Sequence, residues 1–78
     1  MQVPITAEEQ KAIILLTKGK GNTKWFLQGA EMSYTPLSRM KEQGRADKEM
    51  VDKARAFLKR KDVKALIAQL RENEGAAA

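Results

Sequence analysis

Helix stops recur so often along this chain that neither a long helix nor a broad sheet fits it. The stretches "TKGKGNTK", "GAEMS", "QGRAD" and "KRKD" each join a helix-ending signal to a fresh capping residue. Between the stops, apolar residues recur at three- and four-residue spacing. Strand-favouring residues are sparse and never alternate over a useful length. The expectation is an all-α, compact fold of five helices. Each runs to about a dozen residues, and the short loops favour packing of consecutive helices. With 78 residues there is room for one domain and one small core.

The segments follow in order. In "TAEEQKAIILLTKG", Thr6 and Glu9 make a capping box, and Glu8 and Glu9 suit the positive end of the helix dipole. Ile13, Leu16 and Ala12 form the inward stripe, and Ile14 and Leu15 are expected to widen it. The second helix is expected to start with Asn22 or Thr23 as cap, with Phe26, Leu27 and Ala30 facing inward and Trp25 at the edge. The third ends at Gly44. The fourth is capped by Asp47, with Met50, Val51, Ala54, Phe57 and Leu58 sharing one face. The fifth is capped by Asp62 and aligns Val63, Leu66, Ile67 and Leu70 at i, i+3, i+4, i+7. The domain then covers residues 1–73. Residues 74–78 have nothing to bury and are expected to fray, with the closing "AAA" a candidate cloning remnant.

Composition removes several classes of function. No cysteine means no disulfide framework and no thiolate chemistry, which suits a reducing, cytoplasmic setting. There is no histidine, no glycine-rich phosphate loop and no acidic cluster at metal spacing. Catalysis, a cofactor, a metal and a small-molecule substrate are therefore not expected. No apolar run reaches the ~18 residues of a membrane span. Fifteen Lys+Arg against ten Asp+Glu leave a net charge of +5. That charge has two readings, simple solubility or a polyanionic partner, and only its placement separates them.

The placement turns on "EMSYTPLSRMKEQG", residues 31–44. Two helices that cross closely need a small residue near the end of the first. They also need an apolar plug in the turn, a cap, and an apolar inner face on the second. Ala30, Met32, Ser33, and Leu37 with Met40 fill those roles. Tyr34, Thr35, Ser38, Arg39 and Lys41 remain on the outer face. Hydroxyls and cations at a helix N-terminus meet phosphates and base edges in a major groove.

These residues resemble the helix-turn-helix of the Cro and phage-repressor (lambda-repressor-like) family, and equally that of the lactose-repressor type headpiece. The pattern there is roughly A-G-V-S-x-x-T-V-S-R-V, matched by Ala30, Met32, Ser33, Leu37, Ser38, Arg39 and Met40. "MVDKARAFLKRKDV" resembles the segment that follows the motif. Two departures stand out. Glu31 takes the slot usually held by glycine, where a left-handed backbone is costly for other residues, so a rearranged turn is one expectation. Pro36 suits the first position of a helix and argues for Thr35 as cap, whereas the family pattern argues for Ser33. The Ser33 start is favoured.

The resemblance implies a sequence-specific protein for double-stranded DNA, a phage or mobile-element transcription regulator or repressor of the cytoplasm or nucleoid. Base contacts then fall to Tyr34, Thr35, Ser38 and Arg39. Phosphate contacts fall to Lys20, Asn22, Thr23, Lys24, Ser33, Lys41 and Arg45, with Ile67 and Leu70 at a homodimer interface. Singly, each lysine is an ordinary solvated cation, and the set carries the argument. DNA packaging by a small terminase, excision or replication accessory work would use the same motif. A helical adaptor or inhibitor that binds a protein is the rival from another class.

Overall fold

The computed structural model describes residues 1–19 and 21–77. Seven elements follow in order: β1 (Gln2–Pro4), α1 (Ala7–Leu16), α2 (Asn22–Ala30), α3 (Tyr34–Gln43), β2 (Arg45–Asp47), α4 (Lys48–Leu58) and α5 (Lys61–Ala77). The five helices stand as expected, but the all-α expectation needs one amendment. β1 and β2 pair antiparallel, with Val3 opposite Ala46.

The sheet is a consequence of tertiary packing. Gly44 turns the chain out of α3 with φ 71°, and the next three residues run extended. β1 lies alongside them, held by the Ile5 amide on the Gly44 carbonyl at 2.9 Å. Ala46 is fully buried beneath the pair. Strands of three residues, one of them containing proline, leave no alternating pattern to read.

α1 starts on the expected capping box. The Glu9 amide donates to the Thr6 hydroxyl at 3.0 Å, and the Thr6 amide donates to Glu9 Oε1 at 2.8 Å. Ala12, Ile13 and Leu16 are buried. Ile14, expected to widen that stripe, turns outward and is 40% exposed.

α2 begins one residue earlier than expected. Gly21 is the N-cap, with φ 80°, and Asn22 is already helical. The Asn22 amide donates to the Gly19 carbonyl at 3.2 Å. The chain has therefore reversed before Asn22, through a left-handed backbone that glycine adopts without strain. Neither Asn22 nor Thr23 is a cap.

α4 starts at its expected N-cap, Asp47, although the Asp47 side chain makes no capping bond. α5 starts at Lys61, so Asp62 sits inside the first turn instead of capping it. There the acid still meets the positive end of the helix dipole. It also accepts two bonds from the Arg60 guanidinium, at 3.2 and 3.0 Å. α5 has 17 residues, Lys61–Ala77, more than the dozen expected. Its terminal stretch is rich in alanine and glutamate, which favour helix. Ala78 lies outside the described residues.

One core joins the layers. Ile13, Leu16, Phe26, Leu37, Met40, Val51, Phe57 and Val63 are its large members. An ion pair fastens α1 to α4 at the rim, with Arg55 Nε 2.9 Å from Glu9 Oε2. The hydrogen bond from Arg55 holds the Glu9 carboxyl below its ordinary range.

Phe57 carries the α2–α4 contact. Its ring meets Phe26 edge-on at 4.8 Å and Trp25 edge-on at 5.1 Å. Gly29 makes the approach possible, because a Cβ there would collide with the Phe57 ring. The sequence pointed to Ala30 as the small residue, and Gly29 does that work for α4. Alanine in a helix interior normally gains up to ~1 kcal/mol over glycine. Here overpacking, at about 1–3 kcal/mol, outweighs that gain. Gly29→Ala should therefore lower Tm by several degrees in thermal unfolding followed by circular dichroism. An unchanged or raised Tm would show that the ring gives way freely.

Candidate nucleic-acid interface

The turn between α2 and α3 keeps the geometry of a glycine turn with glutamate in place. Glu31 is left-handed, φ 57° and ψ 50°, and its amide donates to the Leu27 carbonyl. The Met32 amide donates to the same carbonyl at 3.1 Å. The Glu31 bond is the five-to-one bond of a left-handed helix cap and the Met32 bond adds a six-to-one bond to the same carbonyl, so together they close α2, with Met32 buried beneath them. The expected rearrangement does not occur. Lys53 Nζ, from α4, donates to the Glu31 carbonyl at 3.0 Å and holds the turn from outside.

α3 starts at Ser33, as favoured. Ser33 is the N-cap with extended backbone, although its side chain makes no capping bond. Pro36 is the third helical residue, where an amide has no intrahelical acceptor to lose. Leu37 and Met40 are fully buried. Spacing then decides the outward face. Thr35, Ser38, Arg39 and Glu42 fall at i, i+3, i+4, i+7, opposite the buried pair. Thr35, Arg39 and Glu42 are exposed and Ser38 is half-buried. Tyr34, 61% exposed, flanks this face.

α3 is anchored at its far end. Gln10 Nε2, on α1, donates to the Lys41 carbonyl at 2.9 Å. Gly44 ends the helix with its amide on the Met40 carbonyl at 3.1 Å. Gln10 and Lys53 set the pose of α3, yet neither carried a signal in the sequence. Each bond spans more than twenty residues and depends on the finished packing.

The candidate phosphate contacts divide among several elements. Asn22 and Lys24 are exposed at the start of α2, and Ser33 is exposed at the start of α3. Arg45 is exposed on β2. Lys41 is half-buried. Thr23 is half-buried too, and its hydroxyl leans on the Thr17 carbonyl at 3.4 Å, so it helps join α1 to α2. Lys20 lies outside the described residues.

Ile67 and Leu70, the candidate dimer residues, are half-buried against the core. Leu70 also lines an open groove of about 450 Å³ with Leu16, Asn22, Trp25 and Leu66. Among the described residues, no three His, Cys, Asp or Glu side chains gather as a metal site. No helix among them is long and apolar enough to cross a membrane.

The Glu31 turn has a direct consequence for stability. A non-glycine residue in the left-handed region costs about 1 kcal/mol. Glu31→Gly should remove that strain and raise Tm by a few degrees, whereas Glu31→Ala should not. A lower Tm for the glycine variant would show that the Glu31 side chain stabilises the turn by more than its backbone costs.

No protein-family model, curated protein or solved structure matches the chain.

Proposed function

We propose that this chain is a small, sequence-specific double-stranded DNA-binding protein of the lambda-repressor-like helix-turn-helix type, which lays α3 in the major groove. The observation that carries the reading is the α2–α3 unit. A left-handed turn at Glu31, a buried Met32 plug, a helix start at Ser33 and a buried Leu37–Met40 pair leave Thr35, Ser38 and Arg39 outward.

Dimensions support it. Ten residues at ~1.5 Å rise make α3 about 15 Å long, against a major groove ~12 Å wide. Arg39 is the candidate guanine reader. Tyr34, Thr35 and Ser38 are candidates for thymine methyls, base edges or nearby phosphates. Lys24 and the first-turn amides of α2 suit a phosphate, with Asn22, Ser33 and Arg45 as further contacts. Glu42 sits on the same face as Arg39. A carboxylate there opposes phosphates and keeps the C-terminal half of α3 shallow in the groove. In this reading the chain serves as a transcription regulator.

A salt titration against random duplex and selection of bound sites from random DNA test the reading together. Arg39→Ala should relax sequence preference and leave the fold intact. Lys24→Ala should weaken all duplexes about equally and reduce the salt slope by ~1. Glu42→Gln should strengthen binding to every duplex. If all three variants behave like the parent, α3 is not the recognition helix.

One copy covers little DNA, so a two-fold dimer supplies affinity and half-site spacing of about one helical turn. The groove that Leu70 shares with Trp25 and Leu66 favours α5 as the interface, with Ile67 beside it. Leu70→Glu should then shift sedimentation towards monomer and reduce operator affinity, with helicity retained. A parent that sediments as a monomer at high concentration, both free and bound to its site, would remove the dimer.

A further inference from the structure

The corner between α4 and α5 carries a basic surface that neither the α3 face nor the Leu70 groove uses. Only Lys59 and Arg60 separate the two helices. Residues 56–68 hold Lys59, Arg60, Lys61 and Lys64 against one carboxylate, Asp62. A sixth of the chain thus carries three of its five net positive charges.

Arg60 and Asp62 are engaged with each other, at 3.2 and 3.0 Å, and the Arg60 guanidinium rests 5.4 Å from the centre of the Phe57 ring. Lys59, Lys61 and Lys64 are exposed, and among the described residues no group pairs with their ammonium ends. Beside them the exposed residues are Ala56, Ala65 and Ala68. Apart from the Arg60–Asp62 pair, only methyl groups stand between the cations.

Helical spacing gives the surface its direction. Lys53 and Phe57 turn one side of α4 to α2. Lys59 keeps the helical path, with its amide on the Arg55 carbonyl at 3.1 Å. It stands two residues past Phe57, about 200° further round the helix. On α5, Leu66 and Leu70 face Asn22 and Trp25 of α2 across the groove. Lys61, Lys64, Ala65 and Ala68 fall at i, i+3, i+4, i+7 on the opposite side. Both parts of the surface therefore look away from α2, the helix whose Lys24 flanks the α3 face.

We propose that this corner holds the phosphate backbone of a second duplex segment, without regard to sequence, so that one copy bridges two segments. Lysine meets phosphate as a point charge and reads no base edge. A protein partner is anchored by aromatic or arginine hot spots, a lipid surface by large apolar side chains, and a single strand by stacking rings. No large apolar or aromatic side chain is exposed between these lysines. A duplex already lying on α3 cannot bend round to them cheaply. The body is 22 Å across its shorter axes, and duplex stays stiff over about 150 base pairs.

The duplex contact at the corner stands without the α3 reading. The bridging rests on that reading, and two variants separate them. Lys59→Gln with Lys61→Gln and Lys64→Gln clears the corner, and Lys24→Glu with Arg39→Glu disables the α3 side. Circular dichroism should show both folded, since the substituted side chains are exposed. Beads carry a random-sequence duplex of about 30 base pairs, three helical turns. They are loaded with the full chain at low salt, washed, and offered the same duplex with a fluorescent label. The parent should capture the labelled duplex. The corner variant should lose capture by at least about tenfold while still binding the bead duplex. The α3-side variant should still bind random duplex, with a salt slope of about −3 for three lysine contacts.

No capture by the parent at low salt would overturn the proposal. So would capture that survives the corner variant, which is how a dimer bridging through its two α3 faces would behave. If the α3-side variant loses all duplex binding, the corner site falls and the α3 reading stands. If the corner variant loses all duplex binding, the α3 reading falls and the bridging with it. Retention of phosphatidylserine vesicles or polyglutamate through the three lysines, with no duplex bound, would assign the surface to that ligand instead.

Discussion

The Phe57 ring is the contact on which the rest of the arrangement hangs. It is 2% exposed, with Phe26 and Trp25 edge-on against it and the Arg60 guanidinium 5.4 Å from its centre. Edge-on rings hold a direction as well as a distance, because the positive edge of one seeks the negative face of the other. α2 is therefore fixed against α4 in rotation and in height. Lys53, one turn earlier on α4, is brought to the Glu31 carbonyl by that same fit. The end of α2 and the beginning of α3 are thus set from α4, and Gly29 is the vacancy that lets the ring in.

α3 is held at its other end by different means. Gln10 reaches the Lys41 carbonyl, and the Ile5 amide takes the Gly44 carbonyl. Both partners are backbone carbonyls near a helix C-terminus, where acceptors are left over. Glu9 joins the two systems. It closes the capping box that starts α1 and also binds Arg55 of α4. α1 therefore carries α3 through Gln10 and meets α4 through its neighbour Glu9. α3 is suspended between two supports, and its outward face makes no part of either.

The local parts of this plan were legible in the sequence. The Thr6–Glu9 box, the Gly44 cap, the Met32 plug and the inward Leu37–Met40 pair depend on neighbours within one or two turns, and short-range patterns report such things well. What was missed depends on distant chain. The two-stranded sheet exists because α1 and α3 bring Ile5 to Gly44. Asn22 and Thr23 looked like caps, but Gly21 had already turned the chain. Asp62 looked like a cap, but α5 starts at Lys61, where the Lys64 amide already bonds to the Arg60 carbonyl. Ile14 looked inward because apolarity does not say which neighbour is present to cover it. For the candidate site, the Ser33 start was favoured on pattern alone and stands. Glu31 was suspected of breaking the turn, and the fit of Met32 and the Lys53 bond keep it in place.

The distribution of charge along α3 bears on how such a protein would work. Its outward face carries one exposed cation, Arg39, and one carboxylate, Glu42, and the half-buried Lys41 leaves the helix at only +1. In the proposed DNA reading most of the attraction would come from Lys24 at the start of α2, Lys41 at the end of α3 and Arg45 beyond Gly44. That separates the two tasks of recognition. In that reading flanking cations would supply affinity that any duplex feels, and the hydroxyls with Arg39 would supply discrimination. A helix that adds little affinity makes wrong sequences easy to leave, which favours specificity at the cost of strength. In the proposed reading such a face would suit two copies acting together, because each copy would add its own flanking cations while the weakly charged helices would keep the penalty for a mismatched site.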